Sequence, residues 1–194
     1  MKPHCSFLTG AARAGGRGFA LLLVLLVLIV PAQAKDYEVE QQRIERFFPR
    51  ASVSAAEGEY LVRTITNGEQ VLGYAFQSIN VVDIPAYSGK PINMHVLLDP
   101  KGMIVDAYVL EHHEPILLIG IPEEQLHAFT AKYQGIGVDQ RVVVGRSRDK
   151  KAVTIDAVTG ATVTVMVVNE IVMRAARDVA VSLGLVDDLS LIHI

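Results

Sequence analysis

Alternating apolar and polar residues predict pairs of short strands in the middle of the chain. Residues 59–78 form one pair around Asn67-Gly68, because Asn-Gly tolerates the positive φ angles of a tight hairpin turn. Residues 92–98 and 103–110 form a second pair across the turn at residues 99–102. In the last of these strands, one face is predicted to carry Val105, Ala107 and Val109, and the opposite face Asp106 and Tyr108.

Apolar residues at helical spacing occur before and after these strands. Residues 38–48 carry such a stripe, and residues 122–134 begin with Pro122 and two glutamates and end before Gly135. A longer helix is predicted over residues 163–183. The stripe of the middle helix is Leu126, Phe129 and Tyr133. The inward face of the long helix is Val165, Val168, Ile171, Val172, Ala175 and Val179, and its polar face is Glu170, Arg174, Arg177 and Asp178.

Two more short strands, residues 142–144 and 152–155, flank a charged turn ahead of the long helix. Strands come in adjacent hairpins and helices lie mostly at the ends. The sequence therefore predicts an α+β fold with a mostly antiparallel sheet and flanking helices. No linker or repeat divides residues 35–186, which we interpret as one domain, and residues 187–194 form a short tail without pattern.

The first 34 residues have the order of a secretory signal peptide. A basic start without acidic residues (Lys2, Arg13, Arg17) precedes an apolar run at residues 19–30, and Ala32-Gln33-Ala34 fits a cleavage site. The run has 12 residues. Since a membrane helix needs roughly 20 apolar residues, an uncleaved anchor is the weaker alternative. We expect export of the domain to the periplasm.

Removal of this segment would leave an acidic domain without cysteine. The segment holds three of the 18 basic residues and none of the 21 acidic ones, so residues 35–194 have a net charge of −6. Such a domain is a poor candidate for binding nucleic acid, because phosphate neutralisation needs a basic surface. The single cysteine, Cys5, leaves with the segment, which excludes disulfides and cysteine-ligated clusters from the remainder.

The segment Asp156–Thr162, with the sequence DAVTGAT, joins the last predicted strand to the long helix. Gly160 and Ala161 let a bulky group approach the backbone closely. Thr162 stands where the helix begins, so free backbone N–H groups and the helix dipole would stabilise an anion held on its oxygen. Judged by spacing alone, the commoner situation is a plain helix cap by Thr159 or Thr162.

The same segment, followed by Val163-Thr164, resembles the flavinylation motif of FMN-binding domains. That motif is shared by subunits of sodium-pumping quinone reductases, by subunits of Rnf-type electron-transport complexes, and by NosR proteins. In those families a flavin transferase moves FMN from FAD onto the last threonine as a phosphoester. The resemblance therefore implies covalent FMN on Thr162, with Asp156, Thr159, Gly160 and Ala161 completing the motif.

Further blocks extend the resemblance over about residues 36–185. Blocks shared with FMN-binding domains in general are Tyr87-Ser88-Gly89, residues 98–104 and Glu111-His112-His113-Glu114-Pro115. Blocks that are more narrowly similar to NosR proteins are residues 48–51, 73–76 and 83–91. The resemblance implies a flavin pocket that includes Tyr87, Ser88, His113 and Glu114, with Leu118-Ile119-Gly120 as an apolar or backbone wall.

NosR-type proteins support the expression and activity of nitrous oxide reductase in denitrification. The resemblance implies an FMN-dependent electron carrier more than an enzyme with its own substrate. It also implies as partners a flavin transferase, a membrane and iron–sulfur portion of the same system, and nitrous oxide reductase. Two features depart from the pattern. The membrane helices and cysteine-rich motifs of those proteins have no counterpart in this sequence, and the Thr-Pro-Gly found after the glutamate of other FMN-binding domains is absent here.

Other classes of function remain as alternatives at this point. His112, His113 and Glu114 suggest a metal site, but adjacent histidines on a strand point to opposite faces and rarely bind one metal together. Ser88 lacks the Gly-x-Ser-x-Gly elbow of a hydrolase, so a nucleophilic serine has little support. The alternative to the flavoprotein is a flavin-free periplasmic sensory or metal-binding module.

Overall fold

The computed structural model describes residues 32–187 of the chain. The chain divides into two compact units, Met1–Tyr37 and Glu38–Ile194, and every side-chain contact described below lies within the second. The predicted signal peptide lies outside the described residues except for its last three, and the predicted tail lies outside them except for Asp187. Within residues 32–187, no helix has the length and apolar character needed to cross a membrane.

Four α-helices, two 3₁₀ turns and seven strands lie in the described part of the chain. In order they are α1 (Ala32–Phe47), β1 (Ser52–Val53), β2 (Arg63–Asn67), β3 (Gln70–Gln77), β4 (Asn93–Leu98), β5 (Ile104–Glu111), α2 (Pro115–Ile119), α3 (Glu123–Thr130), β6 (Val142–Val144), β7 (Val153–Ile155) and α4 (Thr162–Ser182). Strands β1 to β5 form one sheet in sequential order with every pairing antiparallel. The predicted α+β class is confirmed.

Both predicted hairpins are present in this sheet. Asn67 pairs with Gln70, which leaves Gly68 and Glu69 as a two-residue turn, and Gly68 has the positive φ angle of 61° that such a turn requires. The turn between β4 and β5 is held by Asp99, whose Oδ1 accepts hydrogen bonds from the amides of Lys101 and Met103. Local sequence therefore sets the pairing of β2 with β3 and of β4 with β5, whereas β3 and β4 pair across the connection at residues 78–92.

The sheet has apolar side chains on both faces, and helices cover each face. The larger core joins one face to α3 and α4, and it includes Phe76, Val96, Leu98, Ala107 and Val109 from the strands. The smaller core joins the other face to α1, and it comprises Ile44, Ile65, Ala75 and Leu97 with partly buried neighbours. This alternation along β4 follows the two-residue period of a strand.

One predicted strand face is wrong at Val105. The residue packs with the smaller core on the α1 side, whereas Ala107 and Val109 belong to the larger core as predicted. The cause is a β-bulge, because Leu97 pairs with Asp106 while Leu98 pairs with Ile104. The extra residue in β5 reverses the alternation, so Ile104 takes the place in the larger core that Val105 was expected to have.

The second half of the domain follows the predicted helices but not the predicted strand pairing. β6 and β7 pair in parallel in a sheet of their own, where hairpin order had suggested antiparallel strands. Residues 122–134 form α3 and a following 3₁₀ turn, with Pro122 as the cap residue. The predicted stripe of this region is buried, as is the predicted inward face of α4: Leu126, Phe129, Tyr133, Val165, Val168, Ile171, Val172, Ala175 and Val179.

Candidate functional site

The DAVTGAT segment forms a turn between β7 and α4. Gly160 has a φ angle of 86°, a left-handed conformation that glycine adopts readily. The Ala161 amide then donates to the carbonyl of Val158 at 3.1 Å, and Thr162 is the first residue of the helix. The turn thus presents the Thr162 side chain, which is exposed, at the N-terminus of a 21-residue helix.

The N-terminus of α4 carries no side-chain cap. The cap residue is Ala161, which has no side-chain oxygen, and no side-chain hydrogen bond caps the helix within the described residues. A cap by Thr159 or Thr162, the commoner situation judged by spacing, is therefore not what the structure contains. The first amides of a helix lack intrahelical acceptors and lie at the positive end of its dipole, so this end of α4 favours an anion.

A groove of about 380 Å³ lies directly beside Thr162. We call it the Thr162 groove, and its lining residues are Tyr87, Ile116, Gly160, Ala161, Thr162, Val163 and Thr164. Two of them are exposed apolar side chains: Tyr87 is 75% exposed and Val163 is 57% exposed. The groove lies within the usual range of small-molecule sites, about 300–1,000 Å³. Apolar walls beside an anion-favouring helix end suit a flat aromatic group that carries a phosphate.

Glu114 connects two segments that contribute residues to this groove. Its side chain is fully buried, and one carboxylate oxygen accepts a hydrogen bond from the Ser88 amide at 2.9 Å. The other oxygen accepts a hydrogen bond from the Thr164 hydroxyl at 2.8 Å. The contacts join the turn that carries Tyr87 to the first turn of α4. Glu114 thus contacts the predicted site residue Ser88 directly, and it reaches Tyr87 and Thr162 only through their neighbours Ser88 and Thr164.

Other predicted site residues lie outside the lining of the groove. Asp156 and Thr159 are exposed on the turn that leads to Gly160. The His113 side chain is exposed, with its Nε2 3.7 Å from Glu111 Oε1. Gly120 follows α2, where its amide donates to the carbonyl of Ile116 at 2.9 Å. Their predicted roles toward a flavin stay predictions.

Sequence reasoning missed the helical turn α2 and with it Ile116. The sequence predicts an apolar or backbone wall at residues 118–120; in the structure, Ile116 lines the groove and Leu117 enters the larger core. Pro115 occupies the start of the turn. Proline directly before an apolar run is a signal for a helix start that could have identified α2.

The histidines near the end of β5 do not assemble a metal site. His112 Nε2 lies 3.5 Å from Glu123 Oε1, and His113 Nε2 lies 3.7 Å from Glu111 Oε1, so the two histidines have different acidic partners. Among residues 32–187, no group of three histidine, cysteine or acidic side chains is placed to hold a metal ion.

A second groove, of about 430 Å³, is larger than the Thr162 groove but contains no residue of the DAVTGAT motif. Its lining residues are Gln140, Arg141, Val142, Asn169, Glu170, Met173, Arg174, Arg177 and Asp178.

Known proteins are similar in sequence to this chain over most of its length. Residues 87–177, which include Tyr87, Glu114 and Thr162, match the FMN-binding domain family. The Regulatory protein NosR of Stutzerimonas stutzeri is 72% identical over 171 residues, covering 88% of this chain and 24% of that protein. The Regulatory protein NosR of Pseudomonas aeruginosa is 64% identical over 167 residues, covering 86% of this chain and 23% of that protein.

Among solved structures, NqrC of Shewanella oneidensis is similar with a TM-score of 0.39 and 18% identity. The similarity covers 66% of this chain and 63% of that chain, and at this score it carries no weight for the site. The chain spans about a quarter of the length of the curated relatives it matches. Over the part that it spans, the chain is similar to the regulatory NosR proteins, and its residues 87–177 match the FMN-binding domain family.

Proposed function

We propose that this domain holds FMN through a phosphoester on Thr162 and acts as an exported electron carrier in a NosR-type system. The observation that carries the proposal is the exposed Thr162 at an uncapped helix N-terminus beside a groove with apolar walls. The phosphodiester would keep one negative charge, which the positive end of α4 stabilises. Bound FMN would supply one- or two-electron chemistry, while the protein sets its orientation and electrostatic surroundings.

The residues present fit this group in two further respects. Gly160 turns the backbone just before Thr162. Because glycine has no side chain, a phosphate on Thr162 can approach the amides of the first turn of α4. Tyr87 and Val163 offer exposed apolar surface in the same groove as Thr162, as an aromatic ring system requires. Asp156 is exposed and outside the groove lining, which suits a role in recognition by a flavin transferase more than contact with bound FMN.

The wider role follows from the NosR relatives and is part of the proposal. The domain would be exported to the periplasm and would pass electrons between a membrane and iron–sulfur portion of the same system and nitrous oxide reductase, directly or indirectly. A net charge of −6 outside the first 34 residues argues against direct contact with DNA. An influence on nitrous oxide reductase expression would then act through partner proteins.

Tandem mass spectrometry of the exported chain, expressed together with a flavin transferase, tests the attachment site. We expect a mass addition equal to FMN less one water on the peptide containing Thr162. Thr162→Ala should abolish the addition, and the matched variant Thr159→Ala should retain it, because Thr159 lies outside the groove lining. An adduct on Thr159, or flavin that dissociates on denaturation, would contradict the proposal.

Two measurements test the wider role. N-terminal sequencing of the exported protein should give a start near Lys35, whereas a start at Met1 would favour an uncleaved anchor. Replacement of the chromosomal copy by a Thr162→Ala variant should lower whole-cell nitrous oxide reduction. Thr159→Ala serves as the control. Unchanged reduction with Thr162→Ala, at equal protein level, would contradict an electron-carrying role.

A further inference from the structure

Three threonine hydroxyls lie within six residues around the start of α4, and the structure places them differently. Thr159 is exposed on the preceding turn, and Thr162 is exposed at the first position of the helix. Thr164 is buried, with 2% of its surface exposed. Residues two apart on a helix differ by about 200° around its axis. The side chains of Thr162 and Thr164 therefore leave α4 in different directions, although both residues belong to the lining of the Thr162 groove.

Burial alone does not remove Thr164 from the Thr162 groove. Thr164 is among the residues that line the groove, as Thr162 is, whereas Thr159 is not. The feature that sets Thr164 apart is its hydrogen bond, in which the hydroxyl donates to a buried carboxylate oxygen of Glu114 at 2.8 Å. A hydrogen bond to a charged acceptor is stronger than one between neutral groups, and a buried acceptor that loses its donor is unfavourable.

We infer that Glu114 determines which hydroxyl receives the flavin, by withdrawing Thr164 and leaving Thr162 as the reactive hydroxyl of the first helical turn. The inference rests on the proposed function, since it concerns the same modification. It assigns to Glu114 a positioning role toward the threonines and requires no contact with the flavin. The second carboxylate oxygen, held by the Ser88 amide at 2.9 Å, keeps the side chain in the orientation that receives the Thr164 hydroxyl.

The chemistry explains why this hydrogen bond matters. In the transfer, the threonine oxygen forms a bond to the FMN phosphorus of FAD, the phosphoanhydride bond to AMP breaks, AMP leaves, and the hydroxyl proton is released. The oxygen must therefore be exposed enough to reach phosphorus, and its proton passes to water. Thr164, with 2% of its surface exposed, can reach phosphorus only by leaving its buried position, and Glu114 would then keep a buried carboxylate oxygen without its donor.

The test uses the exported chain expressed with a flavin transferase, in a Thr162→Ala background that removes the favoured hydroxyl. Glu114→Gln and Glu114→Ala are each added to that background. Glutamine keeps the size of the side chain, and its oxygen can still accept from the Ser88 amide while its nitrogen donates to the Thr164 oxygen. The Thr164 proton is then no longer committed to an acceptor. Glu111→Gln in the same background is the matched control, because Glu111 is an exposed carboxylate three residues away.

Peptide mapping by tandem mass spectrometry gives the fraction of Thr164 that carries flavin. We expect almost none with Thr162→Ala alone or with added Glu111→Gln, and an increase of about tenfold or more with added Glu114→Gln or Glu114→Ala. Circular dichroism identifies variants that fold, and Glu114→Gln provides the measurement if Glu114→Ala does not. No increase in a folded Glu114→Gln variant would overturn the inference, while an adduct on Thr162 of the unsubstituted chain would still support the proposed function. Absence of any adduct on the unsubstituted chain would overturn both.

Discussion

Arg43 of α1 binds the buried carboxylate of Asp106 in β5 through two hydrogen bonds. The Nε group donates to Oδ2 at 2.7 Å, and Nη2 donates to Oδ1. The same guanidinium lies 4.6 Å from the centre of the Tyr108 ring, which stacks on His127 of α3 with a centroid distance of 4.3 Å. The pair therefore attaches α1 to the sheet face opposite the larger core.

Loss of this ion pair should destabilise the domain more than loss of an exposed pair. Arg43→Met leaves Asp106, whose side chain is 4% exposed, without its cation, and we expect a loss of about 3 kcal/mol in the free energy of unfolding. Arg141→Met is the control, because Arg141 and Asp149 are 56% and 41% exposed, and we expect about 0.5 kcal/mol or less. Urea denaturation followed by circular dichroism measures both, and equal losses would refute the role given to the pair.

Gly160 should tolerate asparagine better than valine. A Cβ atom there would lie 3.6 Å from Ile121 Cδ1, an ordinary contact, so the obstacle is the φ angle of 86° and not lack of space. A left-handed conformation costs L-residues about 1–2 kcal/mol, and asparagine less than most. Gly160→Val should therefore lower the unfolding free energy by about 1–2 kcal/mol and lower flavin loading on Thr162. Gly160→Asn should show a smaller loss of unfolding free energy and a smaller loss of flavin loading. Equal losses in the two variants would contradict this prediction.

Gly73 of β3 should not accept even a methyl group. A Cβ atom would lie 2.5 Å from the Leu98 carbonyl oxygen and 2.9 Å from Phe48 Cζ, and the backbone oxygen cannot move without disturbing β4. We expect Gly73→Ala to lower the unfolding free energy by about 2–3 kcal/mol. Gly137→Ala is the matched control, since its Cβ would meet Asp139 Oδ1 at the same 2.5 Å, but that atom ends a side chain that can rotate. A larger loss for Gly137→Ala in urea denaturation would contradict the prediction.

His95 should make the domain less stable in mild acid. Burial, together with the nearby Arg43 and Arg63 guanidinium groups, lowers the pKa of His95 from 6.5 to about 3. The folded state therefore keeps the imidazole neutral while the unfolded state takes up a proton. This contribution to stability is full above about pH 6.5 and decreases as the pH falls toward about 3, by at most about 1.4 kcal/mol per pH unit.

The corresponding measurement is the unfolding free energy between pH 7.5 and pH 5. The unsubstituted chain should lose about 1–2 kcal/mol more over this interval than a His95→Gln variant, which lacks the titrating imidazole. His113→Gln is the control, because the His113 side chain is exposed. Equal pH dependence of the unsubstituted chain and His95→Gln would show that His95 is not the group responsible.

Much of the fold follows from local sequence. The Asn67-Gly68 hairpin, the inward face of α4 and the position of Thr162 at its first turn depend on residues close together in the chain. Turn residues and the periodicity of strands and helices involve only a few neighbouring residues, so these elements can be predicted from the sequence. The motif that resembles a flavinylation site lies in the same range, within the seven residues 156–162.

Only the tertiary structure decided which distant groups meet. The bulge that turns Val105 toward α1 depends on pairing with β4, and the parallel pairing of β6 with β7 depends on how the second half of the domain packs. Glu114 meets a backbone amide 26 residues before it and a hydroxyl 50 residues after it. A buried carboxylate is unfavourable unless it accepts hydrogen bonds, and its donors here come from segments that are distant in the sequence. No local sequence pattern specifies those partners.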